Sequence, residues 1–147
     1  MPKYLNIALI ALVAVLLAGC GDEPRTDSVL RVGVARFEAE TARSKAQRTR
    51  GLLGRSNLEP DRAMVFVYVK PGPKCFHMRG MAFGLDIVWC LDGRVKSISR
   101  NVPPNCRDKN LLRSPGPVDL VAEIAAGQAE ALGLRVGDTV KLHENAK

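Results

Sequence analysis

Apolar residues follow different rhythms along this chain. Leu5 to Ala18 is an almost unbroken apolar run, interrupted only by Asn6. Val29 to Phe37 (VLRVGVARF) sets Leu30, Val32 and Val34 between polar or small residues, the period of two expected of a strand. Met64 to Val69 (MVFVYV) is continuously apolar, with Asp61 before it and a PGP turn after it, which predicts a buried strand. Residues 74–79 and 85–91 are the next two predicted strands. Asp92-Gly93 then supplies the positive-φ pair of a tight hairpin leading into Arg94 to Val102. Residues 103–117 (PPNCRDKNLLRSPGP) read as a long ordered loop. After it come a strand over Val118 to Ile124, a short helix to Leu132 stopped by Gly133, and a strand over Thr139 to Leu142. An earlier helix is predicted over Thr41 to Arg50, with Thr41 as N-cap and Gly51 as left-handed terminator. Many short strands and few helices predict a mostly β fold, an antiparallel β-sandwich or barrel with one or two short helices.

The first apolar run changes the picture most. It is shorter than the roughly 20 residues needed to span a bilayer, and Lys3 gives it the positive flank of a signal peptide. It ends in Leu17-Ala18-Gly19-Cys20, which resembles a bacterial lipobox. There, small residues fit the signal peptidase and the cysteine thiol takes up diacylglycerol. Residues 1–19 are therefore expected to be removed, leaving Cys20 as a lipidated (palmitate-bearing) first residue. Acyl chains would hold the protein on a membrane surface without a transmembrane helix. Residues 20–28 form the lipidated cysteine and a polar tether, and residues 29–143 a single domain. The expected location is the cell envelope, facing the periplasm. Gly21 after the lipidated cysteine leaves the choice between inner and outer membrane open.

The whole chain carries 22 Lys and Arg against 15 Asp and Glu, a formal charge of +7 that falls to +6 without Lys3. Export removes nucleic acid as the partner of that surplus. Membrane lipid and an envelope protein partner remain, beside simple solubility. The most basic stretch is Arg43 to Arg55, read as a solvated helix face or a lipid-headgroup contact.

Three blocks carry a family resemblance: RGLLGRSNLEPDRAMVFVY, then FHMRGMAFGLDIVW followed by LDGRV, then AEIAAGQAEALGLRVGDTV. In order and spacing they resemble the family called domain of unknown function 192, across nearly all of Val29 to Leu142. Phe76, Met78, Arg79, Leu85, Asp86 and Ile87 match its central pattern, whereas many members have Trp in place of His77 and Asn-Thr in place of Gly80-Met81. The resemblance implies a compact, mostly β domain, often exported or membrane-attached, and implies neither an activity nor a cofactor.

The central block also holds the candidate chemistry. If strands 74–79 and 85–91 pair antiparallel with Arg79 opposite Asp86, Cys75 falls opposite Cys90, within disulfide reach. Cys106 in the proline-rich loop competes with Cys90 for Cys75, and the sequence leaves that choice open. A ligand site is expected around His77, Arg79 and Asp86, with a structural Arg79–Asp86 pair as the alternative. Cys75, His77 and Cys90, or Cys75, His77 and Met81, include soft ligands of the kind that suit copper, so an exported metal- or thiol-handling protein is the second reading. Neither a Cys-x-x-Cys pair nor a nucleophile elbow occurs, which argues against thiol-redox or hydrolytic enzymes. Glu123, in an otherwise apolar stretch, needs a partner if it points inward, with Arg79 and Arg94 as candidates. A lipid-anchored binding or accessory module without a cofactor is the expected function.

Overall fold

The computed structural model describes residues 25–104 and 112–144; Cys20, Cys106 and the apolar N-terminal run lie outside the described residues. Strands β1 (Arg25–Val32) and β2 (Ala35–Ala42) form an antiparallel hairpin. Helix α1 (Lys45–Arg50) follows, then β3 (Arg62–Gly72) and the two-residue β4 (Cys75–Phe76). A second hairpin joins β5 (Leu85–Leu91) to β6 (Arg94–Val102). The chain ends with β7 (Leu112–Arg113), β8 (Val118–Ala125), helix α2 (Gln128–Ala131) and β9 (Val140–Glu144).

Seven strands make one sheet in the order β6-β5-β8-β3-β2-β1-β9, and β4 pairs with β7 beside it. The edges of the large sheet meet. Arg94 bridges Thr139, the Val95 amide donates to the Asp138 carbonyl at 3.0 Å, and the Val140 amide donates to the Gly93 carbonyl at 2.7 Å. The sheet is thus a curled half-barrel whose open side is joined at one corner, so its edge strands offer fewer free amides for unwanted pairing.

Alternation along the strands sends apolar residues to both faces. Inside the curl lie Leu30, Val32, Phe37, Val65, Val88, Cys90, Val95, Ile124 and Val140, contributed by every strand of the sheet. Outside lie Met64, Phe66, Leu85, Ile87, Trp89, Val118 and Val121, roofed by Leu52, Met78 and Met81. The roof is a consequence of topology. β2 and β3 pair in parallel, and a parallel pair needs a crossover. Residues 43–61 make that crossover and carry α1 over the outer face.

The mostly β architecture with two short helices is as the apolar pattern predicts, and so is the Asp92-Gly93 turn, where φ is 51° and 68°. Four local expectations need correction. Leu112 and Arg113, inside the stretch read as a loop, form β7 because they pair with Phe76 and Cys75 of β4. The stretch 29–37 is a hairpin, because Gly33 (φ 56°) turns the chain and leaves Val34 on the outside at 97% exposure. Strand β1 also begins at Arg25, inside the stretch read as a tether. The N-cap of α1 is Ser44, not Thr41. Its Oγ accepts from the Gln47 amide at 3.1 Å while Gln47 Oε1 accepts from the Ser44 amide at 3.0 Å, a reciprocal capping box. Thr41 is buried in β2, held there by the parallel pairing with β3.

Candidate functional site

Residues 74–79 form a strand only at Cys75 and Phe76, whose partners are Arg113 and Leu112 of β7. The chain then turns, with the Met81 amide donating to the Met78 carbonyl at 3.1 Å. Both sides of β5 are occupied, by β6 and β8. The expected register is therefore wrong: Asp86 faces Ile124, not Arg79, and Cys90 lies between Val95 and Leu120, not opposite Cys75. Cys75 and Cys90 are free thiols, one exposed and one buried. Burial, with Asp119 nearby, pushes the Cys90 thiol up to about 12. A Cys75, His77, Cys90 ligand set cannot converge, since Cys90 belongs to the inner core. Cys75, His77 and Met81 do border one cavity, but among the described residues no three His, Cys, Asp or Glu side chains gather as a metal-holding group.

Asp86 has a structural task. It is fully buried, and its Oδ1 accepts from the Asn101 amide at 2.7 Å while Oδ2 accepts from the Ala129 amide at 2.8 Å. Gly127, the N-cap of α2, has no side chain to serve the first turn, so a carboxylate from β5 serves it. Asp86 also satisfies the backbone at Asn101, a non-glycine residue with φ of 49°.

His77 and Arg79 fall elsewhere. With Cys75 they border a cavity of about 320 Å³ between α1 and the outer face of the sheet. Alternation persists through this segment even where pairing stops: Phe76 and Met78 turn inward, while Cys75, His77 and Arg79 are exposed. Phe76 meets Phe66 and Trp89 edge to face, at centroid distances of 4.9 and 5.5 Å. The Trp89 indole N–H, which a buried ring must satisfy, donates to Ser99 Oγ at 2.9 Å. Gly80, with φ of 76°, is a true glycine position: an added Cβ would stand 2.9 Å from Leu53 Cδ1, on the cavity wall.

The opposite wall comes from α1. Lys45, Arg48, Thr49 and Arg50 line it, and Leu52 and Leu53 continue it. The Arg48 guanidinium lies 4.9 Å from the Tyr68 ring centre, and Lys74 approaches the same ring at 4.4 Å. Burial pushes the Tyr68 hydroxyl above its ordinary value; Arg48 opposes that shift and Glu123 adds to it.

Glu123 gives the cavity its chemistry. On β8 it sits directly between Met64 of β3 and Ile87 of β5, in the middle of the outer apolar face. It is 7% exposed, lines the cavity, and makes no hydrogen bond or ion pair with the described residues. Neither Arg79 nor Arg94 partners it. Desolvation pushes its carboxyl up to about 8, so the neutral acid dominates at pH 7. The other buried acid is different. Glu40 accepts from Arg55 at 2.7 and 2.6 Å and from Arg62 at 3.3 Å, and hydrogen bonding to Arg55 holds its carboxyl below the usual range. That cluster is internally satisfied and ties the crossover to β2 and β3.

The sequence groups His77 with Arg79, and both border the cavity. Lys45, Arg48 and Arg50 were visible only as a basic stretch, because a crossover's resting place is not written in its own periodicity. Glu123 did carry a signal, an acid in the apolar run VAEIA.

The profile of the family DUF192, described as "Uncharacterized ACR", matches residues 28–142. Among solved structures, a protein of unknown function from Novosphingobium aromaticivorans is similar, with 33% identity and a TM-score of 0.72 over 77% of this chain and 83% of that one. A candidate transcription regulator from Sinorhizobium meliloti is similar at 26% identity and a TM-score of 0.71, over 78% and 92% of the two chains. No curated protein matches.

Proposed function

Since residues 28–142 make this chain a member of the domain of unknown function 192 family, we propose that it is a ligand-binding accessory domain held on a membrane of the cell envelope through lipid on Cys20. One observation carries the binding reading: the Glu123 carboxyl, without a hydrogen-bond partner among the described residues, lines an open cavity on an apolar sheet face. A ligand that pairs with it replaces solvent at the cavity floor with a hydrogen bond, worth about 0.5–1.5 kcal/mol net. Aromatic and methionine walls with a few convergent polar groups are the usual make-up of a small-molecule site. His77 and Arg79 stand at its mouth; Asp86 is not part of it.

The anchor rests on the lipobox-like Leu17-Ala18-Gly19-Cys20. An exported, lipid-held domain has no access to DNA, so the description of the Sinorhizobium protein is not carried over.

Two measurements test the reading. Metabolic labelling with an alkyne-bearing palmitate marks the wild-type chain and not Cys20→Ser; an unlabelled wild type removes the anchor. Native mass spectrometry of protein extracted from its own envelope shows a small bound mass that Thr49→Trp, which fills the exposed mouth, excludes. A mass retained by Thr49→Trp places the ligand outside this cavity.

A further inference from the structure

The cavity sorts its side chains by depth. Lys45, Thr49, Arg50, His77 and Arg79 are exposed and Arg48 is half-buried, whereas Leu52, Phe66, Met78, Met81 and Glu123 are buried. The mouth is therefore basic, the walls are apolar, and Glu123, the sole acid of the lining among the described residues, lies at the inner end. We propose that the ligand is a small amphipathic organic anion. Its charged head lies among the basic side chains of the mouth and its apolar body against Phe66, Phe76 and Met78. A hydrogen-bond acceptor at its inner end meets Glu123. This inference rests on the cavity being the ligand site.

The order of charges decides the sign of the ligand. A cation would pass Lys45 and Arg48 before reaching Glu123, and both repel it at the cavity mouth. An anion is drawn to the same groups and need not bring its charge inside. The inner end decides the rest. The residues directly opposite Glu123 are Met64 on β3 and Ile87 on β5, which offer a carboxyl no stronger acceptor than a thioether sulfur. The titratable groups facing the same space are Tyr68 of β3, Lys45, Arg48 and Arg50 of α1, and Cys75, His77 and Arg79 of the β4–β5 segment. No hydrogen bond joins Glu123 to any of these described side chains. A carboxyl that burial keeps protonated is a donor, so the complementary ligand group is an acceptor such as a carbonyl, ether or ring nitrogen. The cavity, at about 320 Å³, has room for a single-ring or short-chain molecule of this kind.

The test is calorimetric titration of the full chain in detergent with four probes. These are 4-acetylbenzoate and 4-acetylphenyl phosphate (anion plus acceptor), benzoate (anion alone) and 4-acetylbenzylamine (cation plus acceptor). The expected order puts both acetyl anions first, benzoate roughly tenfold weaker, and the amine last. Whichever acetyl anion binds more tightly identifies the head group as carboxylate or phosphate. Glu123→Leu removes the advantage of the acetyl group. Glu123→Gln, which keeps a donor, retains it and abolishes the loss of affinity that wild type shows as pH rises through about 8. Lys45→Met weakens the anions and not the amine.

Tighter binding of the amine, equal binding of benzoate and 4-acetylbenzoate, or binding of none of the probes overturns the inference. Amine binding that Thr49→Trp abolishes would sink the anion while leaving the cavity as the ligand site. Probe binding that Thr49→Trp leaves unchanged would sink both.

Discussion

Glu123 and Cys90 show how position, more than residue type, sets chemistry here. Both sit on central strands and both are pushed toward their neutral forms by burial, yet one opens onto a cavity and the other onto packed core. For Glu123 the folded value of about 8 stands above the ordinary 4.5, so between these values the folded state binds more protons than the unfolded state. Stability is then fully present below about pH 4.5 and declines by on the order of 1 kcal/mol per unit as pH rises toward about 8. Denaturant melts across that window should show this slope in wild type and a flatter one in Glu123→Gln. An identical slope in both would mean that Glu123 is not the buried titrating acid. For the cysteines, iodoacetamide at pH 8 followed by peptide mapping should modify Cys75 in the native, reduced protein and Cys90 only after unfolding. Rapid native labelling of Cys90 would place it outside the inner core.

At the scale of elements, the joints matter more than the strands. Asp86 belongs to β5 but satisfies the backbone at the end of β6 and the first turn of α2. Replacing it with Ala strands two buried amides, and the expected loss is about 3 kcal/mol of unfolding free energy. Asp86→Asn keeps one acceptor and should lose less. If Asp86 were a ligand group, Asp86→Ala would leave stability nearly unchanged, and equilibrium denaturation distinguishes the two. Gly51, which ends α1 at φ of 47°, and the capping box at Ser44 set the helix's length. The ends of α1 were only half legible. Gly51 is a terminator on chemical grounds alone, whereas Thr41 and Ser44 are equally good caps until pairing of β2 with β3 claims Thr41 for the sheet.

Across the whole molecule, closure of the sheet at Gly93–Val95 and Gly137–Val140 converts two edges into a joint. The Gly137-Asp138 turn provides it, with Gly137 at φ of 92° and Asp138 Oδ2 accepting from the Arg135 amide at 2.8 Å. Hydrogen exchange should therefore find the amides of Val95 and Val140 protected as strongly as those of central strands, exchanging only through global unfolding. Fast exchange at both would mean that the edges part. The crossover that roofs the outer face is also a whole-molecule property. It brings the basic stretch 43–55 against β3 and β4, so residues on a solvated face also border the cavity.

By itself the sequence determined the mostly β class, the β5–β6 hairpin, the inward parity of Phe76 and Met78, and the family. These depend on local chemistry: a period of two, a pair of positive-φ residues, and motifs in fixed order. Only the tertiary structure decided that β8 inserts between β3 and β5. That insertion separates Cys75 from Cys90, gives Asp86 to backbone amides instead of Arg79, and sets Glu123 on the cavity side of the sheet. The reason is physical. Alternation specifies which face a side chain takes but not which strand lies beside it, and a buried acid's proton affinity depends on neighbours brought in from distant parts of the chain.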